Sequence, residues 1–151
     1  MDNIKAKGWY ECKIIRKDGT VEEFTVDNLV MTVGKALITS RLGTSSAAAA
    51  TYLALGSGTT AVAASQTALT TEITTSGFAR AAATVSQTTT TTTNDTLQLT
   101  YTWTASGSVT VAEMGVFNAS SSGTMLSRAL LTSKSFVSGD TYQVTYKMSV
   151  S

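Results

Sequence analysis

The chain has 151 residues, 42% of them hydrophobic, which suits one domain with a real core rather than a disordered low-complexity chain. Its net charge is +1, it has no histidine and one cysteine, and no apolar run approaches the ~18 residues of a membrane span. These values argue against a nucleic-acid binder, which needs a basic patch, against a membrane protein, and against a disulfide-built secreted domain.

The charge is unevenly spread. Residues 1–41 hold seven of the eleven Lys/Arg and six of the ten Asp/Glu. A free monomer usually stays soluble by carrying many surface charges. Here the remaining surface must be Thr, Ser, Asn and Gln. That suits packing among many identical copies, where an unpaired buried charge is costly. A monomer kept soluble by hydroxyls alone is the alternative. The expected organisation is a single domain, 1–151, with a charged hairpin plus helix over 1–43 and a Thr/Ser-rich β-body over 51–151.

In chain order, "WYECKIIRK" and "TVEEFTV" flank Asp18-Gly19, a two-residue turn signal, and read as an N-terminal β-hairpin. That register sets Lys13 opposite Phe24 and Ile14 opposite Glu23, so each face mixes apolar and charged side chains and the hairpin is only partly buried. In "NLVMTVGKALITSRLG", Val33, Leu37, Ile38 and Leu42 fall at helical spacing. Gly43 is placed to cap this one helix, with Lys35 and Arg41 on its polar side. "TSSAAAAT" is a small-residue connection and "TYLALG" a short strand. "SGTTAVAASQTALTTEI" is loop, with room for a helical turn at Gln66–Glu72.

The remainder is β. Leu97, Leu99, Tyr101 and Trp103 alternate with Thr and Gln, and Tyr142, Val144, Tyr146, Met148 and Val150 line one face of the last strand. "SVTVAEMGVFN" and "TMLSRALL" are further strands, with turns at Gly107, "NASSSG" and "SGD". The six consecutive threonines of Thr88–Thr93 precede Asn94-Asp95, a tight-turn signal. Thr favours pleated structure. The run is expected to continue a long hairpin, Phe78–Thr93 with Thr96–Ala105, pairing Thr92 with Leu97, Thr90 with Leu99 and Thr88 with Tyr101. A polar loop is the alternative.

Catalytic chemistry is not legible. The commonest general base is missing, one Cys makes no thiolate cluster, and there is no Gly-x-Ser-x-Gly elbow. "GSGTT" at Gly56–Thr60 lacks the Lys and spacing of a P-loop and reads as a turn. Glu22 and Glu23 are neighbours on a strand and point to opposite faces. Glu113, inside an apolar strand, is expected to be half-buried and paired with Arg80 or Arg128. Cys12 reads as a small core residue. Not an enzyme, no cofactor and no metal site are the expectations.

"VDNLVMTVGKALITSRL", "YLALGSGTTAVAASQTALTTEI", "SVTVAEMGVFNASSSGTMLSRALL" and "FVSGDTYQVTYKMSV" together, in this order, resemble small bacteriophage virion structural proteins. The family includes stand-alone capsid decoration (cement) proteins, and related patterns occur in tail-fibre attachment regions. With this many strands, enough to bury two inner faces, the fold is expected to be mainly β: an antiparallel β-sandwich or barrel-like module with an N-terminal β-hairpin and one short α-helix. The resemblance implies a capsid decoration protein, a homo-oligomer (trimer) bound to the major capsid protein, made in the host cytoplasm and resident on the capsid surface of the virion. The opening residues contain no apolar stretch of the signal-peptide kind, consistent with that route. The absence of a shaft or collagen-like repeat weighs against a complete fibre. A tail, baseplate or tail-fibre attachment protein is the alternative.

A carbohydrate-binding β-module is a remoter one, with Trp9, Trp103 and Tyr101 as a sugar platform, although Trp103 lies on the face expected to be core. The candidate interaction residues are Lys5, Lys7 and Trp9 in the charged opening and Thr90, Thr91 and Thr92 in the threonine run.

Overall fold

The computed structural model describes residues 3–44 and 46–151. Met1, Asp2 and Ser45, which the expected domain and the "TSSAAAAT" connection include, lie outside the described residues. Two five-stranded antiparallel sheets pack face to face. The first runs in the order β2 (Val21–Asp27), β1 (Ala6–Ile15), β10 (Thr141–Val150), β7 (Thr96–Thr104), β6 (Thr84–Thr88). The second runs β3 (Leu29–Val30), β9 (Met125–Phe136), β8 (Val109–Phe117), β4 (Tyr52–Gly56), β5 (Ala81–Ala82). The helix α1 (Thr32–Gly43) lies against β9. This is the mainly β sandwich with an N-terminal hairpin and one short helix that the alternation implies.

Between the sheets sits an aromatic-rich core. Tyr10, Ile14, Leu99, Tyr142 and Tyr146 from the first sheet meet Leu55, Val111, Val116 and Phe136 from the second, all fully buried. Trp103 is buried as its alternation requires, and its indole N–H donates to the Ala79 carbonyl at 2.8 Å. Cys12 is a core residue, and burial pushes its thiol up to about 11. The sandwich has a third layer. Residues 57–72 fold over the outer face of β4 and β8, where Leu69 joins Ala54 and Phe117 in a second cluster. That cover buries both faces of β8, which explains why "TVAEMGVF" reads as a nearly continuous apolar run.

Six expectations need correction. The first hairpin closes through three residues, with Arg16 N–H bonded to Thr20 O and Gly19 at φ 88°. Its register is therefore one residue off: Lys13 faces Glu23, Ile14 faces Glu22 and Cys12 faces Phe24. The inward face then carries Tyr10, Cys12, Ile14, Phe24 and Val26, with Glu22 paired to Lys134, while Trp9, Ile15 and Val21 fall on the outer face. β1 is an interior strand between β2 and β10, and the hairpin is only partly buried, as expected: one face of β1 is buried and the other is exposed or half-buried.

Gly43 is the last helical residue instead of the cap. The chain leaves α1 at Thr44 in an extended conformation, with its N–H on Ser40 O. Leu42 is not part of the buried stripe; it is 83% exposed.

Gln66–Glu72 forms no helical turn: the Thr70 and Thr71 N–H groups donate to Glu113 of β8, and the Thr71 carbonyl accepts the Ser57 N–H. Glu113 is fully buried instead of half-buried.

The arm Phe78–Thr93 is not one strand. β5 pairs with β4 in the second sheet, the chain crosses at Ala83, and β6 pairs with β7 in the first. Thr88 faces Thr96, so most of the threonine run lies beyond the ladder. The Asp95 carboxylate accepts the N–H groups of Thr90, Thr91 and Thr92 at 2.7–2.8 Å and takes them out of strand pairing.

Candidate assembly surface

The strands of the first sheet define two ends. At the near end, β1 begins, β10 finishes and β7 begins, with Ala6 opposite Val150 and Ser149 opposite Thr96. At the far end, Ile15 lies opposite Val21 and Thr141. The ten residues of β1 separate these ends by about 30 Å.

A groove of about 600 Å³ opens at the near end. One wall is α1, through Leu37, Ile38, Arg41 and Leu42. The other is the inner face of the first sheet, through Ile4, Ala6, Val85, Leu97, Met148 and Val150. Leu126 and the Ala49–Thr51 stretch complete it. α1 packs against β9 of the second sheet and leaves the space between itself and the first sheet open. Gly34 brings the helix against β9: a Cβ at that position would collide with the Leu126 carbonyl oxygen. Only Gly34 and Leu37 of α1 are buried, which leaves Leu42 overhanging the groove. Eight large hydrophobic side chains are exposed among the described residues. Four of them, Ile4, Leu42, Val85 and Val150, line this one groove. Clustered exposure of this kind marks an interaction surface, whereas scattered apolar residues do not.

The groove has a basic surround. Lys5 lies between the lining residues Ile4 and Ala6, Arg41 is itself in the lining, and Lys7 and Lys35 line an adjoining cleft that shares Ala6. None of these four is in an ion pair among the described residues, while Lys13, Arg16, Arg80, Arg128, Lys134 and Lys147 all are.

The six sequence-predicted interaction residues all sit toward this end. Lys5 is exposed just before β1 and Lys7 is exposed on it. Trp9 lies on the outer face, opposite Asp27 and Lys147, half-buried, with its indole N–H on Glu11 at 3.1 Å. Trp103 is on the other face of its sheet, in the core, so the two tryptophans do not form one platform. Thr90, Thr91 and Thr92 form the tip of the loop on Asp95, whose own carbonyl accepts the Val150 N–H. Hydrogen bonds from the Thr92 and Thr90 amides, with smaller help from the Thr96 hydroxyl and Thr91 amide, hold the Asp95 carboxyl far below the usual carboxylate range.

Reading the sequence missed Ile4, Val85 and Val150 and misassigned Leu42. The available signal was Leu42 beside Gly43 at the end of an apolar stripe too short to bury every member.

Among the described residues no group of three His, Cys, Asp or Glu is placed to hold a metal ion, and no helix is long and apolar enough to cross a membrane. The "GSGTT" loop does present an amide to an anion, but that anion is internal: Gly58 N–H donates to Glu113 at 3.2 Å.

One family model matches this chain, over residues 29–149, and it is described as podophage GP4 fiber I protein gp80. No curated protein and no solved structure matches. The matched span includes α1 and every strand from β3 to β10; β1 and β2 precede it.

Proposed function

The chain belongs to the podophage GP4 fiber I protein gp80 family and is a bacteriophage virion structural protein; from that premise we propose that it is a non-enzymatic fibre subunit, built into the particle through its near-end groove. The observation that supports this role is the convergence of four of the eight exposed large hydrophobic side chains among the described residues, Ile4, Leu42, Val85 and Val150, on one groove. A lone soluble domain gains nothing from such a surface. A subunit that is covered on assembly gains the whole hydrophobic contribution of burying it.

Capsid decoration is the second reading. The family description names a fibre and not the part of the virion that carries it. The charged hairpin β1–β2 offers a polar face for a shell contact: Lys13–Glu23 and Lys147–Glu11 pair across its outer surface. Antibody labelling of intact virions, viewed by electron microscopy, separates the two. Label along or at the base of fibres supports the fibre reading. Label spread evenly over the shell transfers the assignment to decoration, and unlabelled virions would remove both.

A further inference from the structure

The exposed apolar residues that do not line the groove are not scattered. Ile15 and Val21 are opposed partners at the far end of the β1–β2 hairpin. Val137 lies in the turn between β9 and β10, and its N–H and that of Lys17 both donate to the Asp140 carboxylate. One bracket therefore ties the two turns together, and Arg16 reinforces it through its ion pair with Asp140 at 3.1 Å. Seven of the eight exposed large hydrophobics among the described residues thus fall into two groups about 30 Å apart: a concave group at the near end and, at the far end, Ile15 and Val21 where β1 and β2 meet their turn, with Val137 in the neighbouring turn.

We infer that the occupant of the groove is a second copy of this chain, entering with its Ile15–Val21–Val137 tip, so that copies stack head to tail. Three observations carry this. The tip supplies branched apolar side chains of the same kind that line the groove, so docking buries apolar surface on both partners. The same molecule presents both surfaces at opposite ends, so each docked copy offers a fresh groove, and the interface is heterologous and open-ended rather than self-closing.

Charge also selects this arrangement over a symmetric one. Two grooves facing each other would bring Lys5, Lys7, Lys35 and Arg41 of one copy against the same four of another, with Asp27 as the acid in the adjoining cleft. The far end balances its charges: Arg16 pairs with Asp140 and Glu22, Lys134 pairs with Glu22, and Lys17 and Asp18 in the hairpin turn offset each other, so it opposes no such excess. The inference deepens the fibre reading and rests on it for its biological meaning, but the contact itself is a property of the purified chain.

Sedimentation velocity of the purified full chain over a wide concentration range tests it. Wild type should show a weight-average mass that climbs continuously with concentration. Leu42→Asp in the groove should abolish the climb, and so should Val21→Asp on the tip, with Val137→Asp as a second tip variant. Each variant's fold is checked by circular dichroism; all three positions are exposed. Mixing is decisive. Leu42→Asp keeps a working tip and Val21→Asp keeps a working groove, so an equimolar mixture should form a dimer and stop there. A wild type that is monomeric throughout, that stops at a dimer or trimer, or a mixture that stays monomeric would overturn the inference. Failure here with fibres labelled on virions would leave the fibre reading standing; elongation with unlabelled virions would do the reverse.

Discussion

Arg128 and Glu113 meet as a fully buried ion pair, with Arg128 Nη2 and Nε at 2.7 and 2.8 Å from the same carboxylate oxygen. Both residues reach through the outer face of the second sheet into the segment that covers it. Glu113 also accepts the N–H groups of Gly58, Thr70 and Thr71. Arg128 donates to Gln66 Oε1, Thr60 O and the Thr70 hydroxyl. The pair is the fastening that holds residues 57–72 in place without regular secondary structure.

Removing one partner should therefore be costly. Arg128→Met leaves a buried carboxylate without its counter-charge, and about 3–5 kcal/mol of stability should be lost. Simple buried pairs are often replaceable by matched apolar residues at little cost. Here the double replacement Glu113→Leu, Arg128→Met should remain destabilising, because three backbone N–H groups would lose their acceptor. Urea unfolding of the two variants measures both effects; a double variant as stable as wild type contradicts the fastening role.

Two glycines of α1 should respond oppositely to alanine. By helix propensity alone, Gly→Ala in a helix interior gains about 1 kcal/mol. Gly34→Ala should instead destabilise, because its Cβ would meet the backbone carbonyl of Leu126, which has no side-chain freedom to yield. Gly43→Ala meets nothing and should be neutral or mildly stabilising. Thermal melts of the pair check this, and a stabilised Gly34→Ala protein would show that α1 is free to shift away from β9.

The threonine loop should resist acid. Asp95 titrates lower folded than unfolded, so its contribution is fully present above about pH 4, the ordinary aspartate range, and is lost only as pH falls through the depressed folded value. In an NMR titration, the Asp95 carboxyl carbon should hold its shift through pH 4, and the Thr90–Thr92 amides should stay protected. Asp95→Ala should abolish that protection and leave the β-body intact. A midpoint for Asp95 near 4 would mean the loop is not held as described.

These features were unequally legible in the sequence. Strands β7 and β10 were readable because their alternating residues have one buried face, and Trp103 could be placed in the core on that ground alone. The hairpin register slipped by one because "KDG" closes a three-residue loop, and Asp18-Gly19 signals two- and three-residue loops alike. Thr90–Thr92 carry strong strand propensity, but one carboxylate at the right offset outweighs it by claiming three backbone donors.

Glu113 could be recognised as needing a cation, yet the choice between Arg80 and Arg128 depended on sheet order. Arg80 instead pairs with Glu72 and lies over the Phe117 ring. The groove was the least legible feature. Its walls come from seven segments of the chain, and exposure of Leu42 follows from how α1 packs against β9, which no local pattern records.

The claim that the groove builds this protein into the virion is tested most directly by carrying Leu42→Asp in the phage itself and quantifying the protein in purified particles. Leu42 is exposed, so the variant should fold and accumulate in infected cells. The account predicts filled particles from which this protein, and the fibres it forms, are largely missing. Wild-type copy number and normal fibres in the Leu42→Asp particles would contradict it.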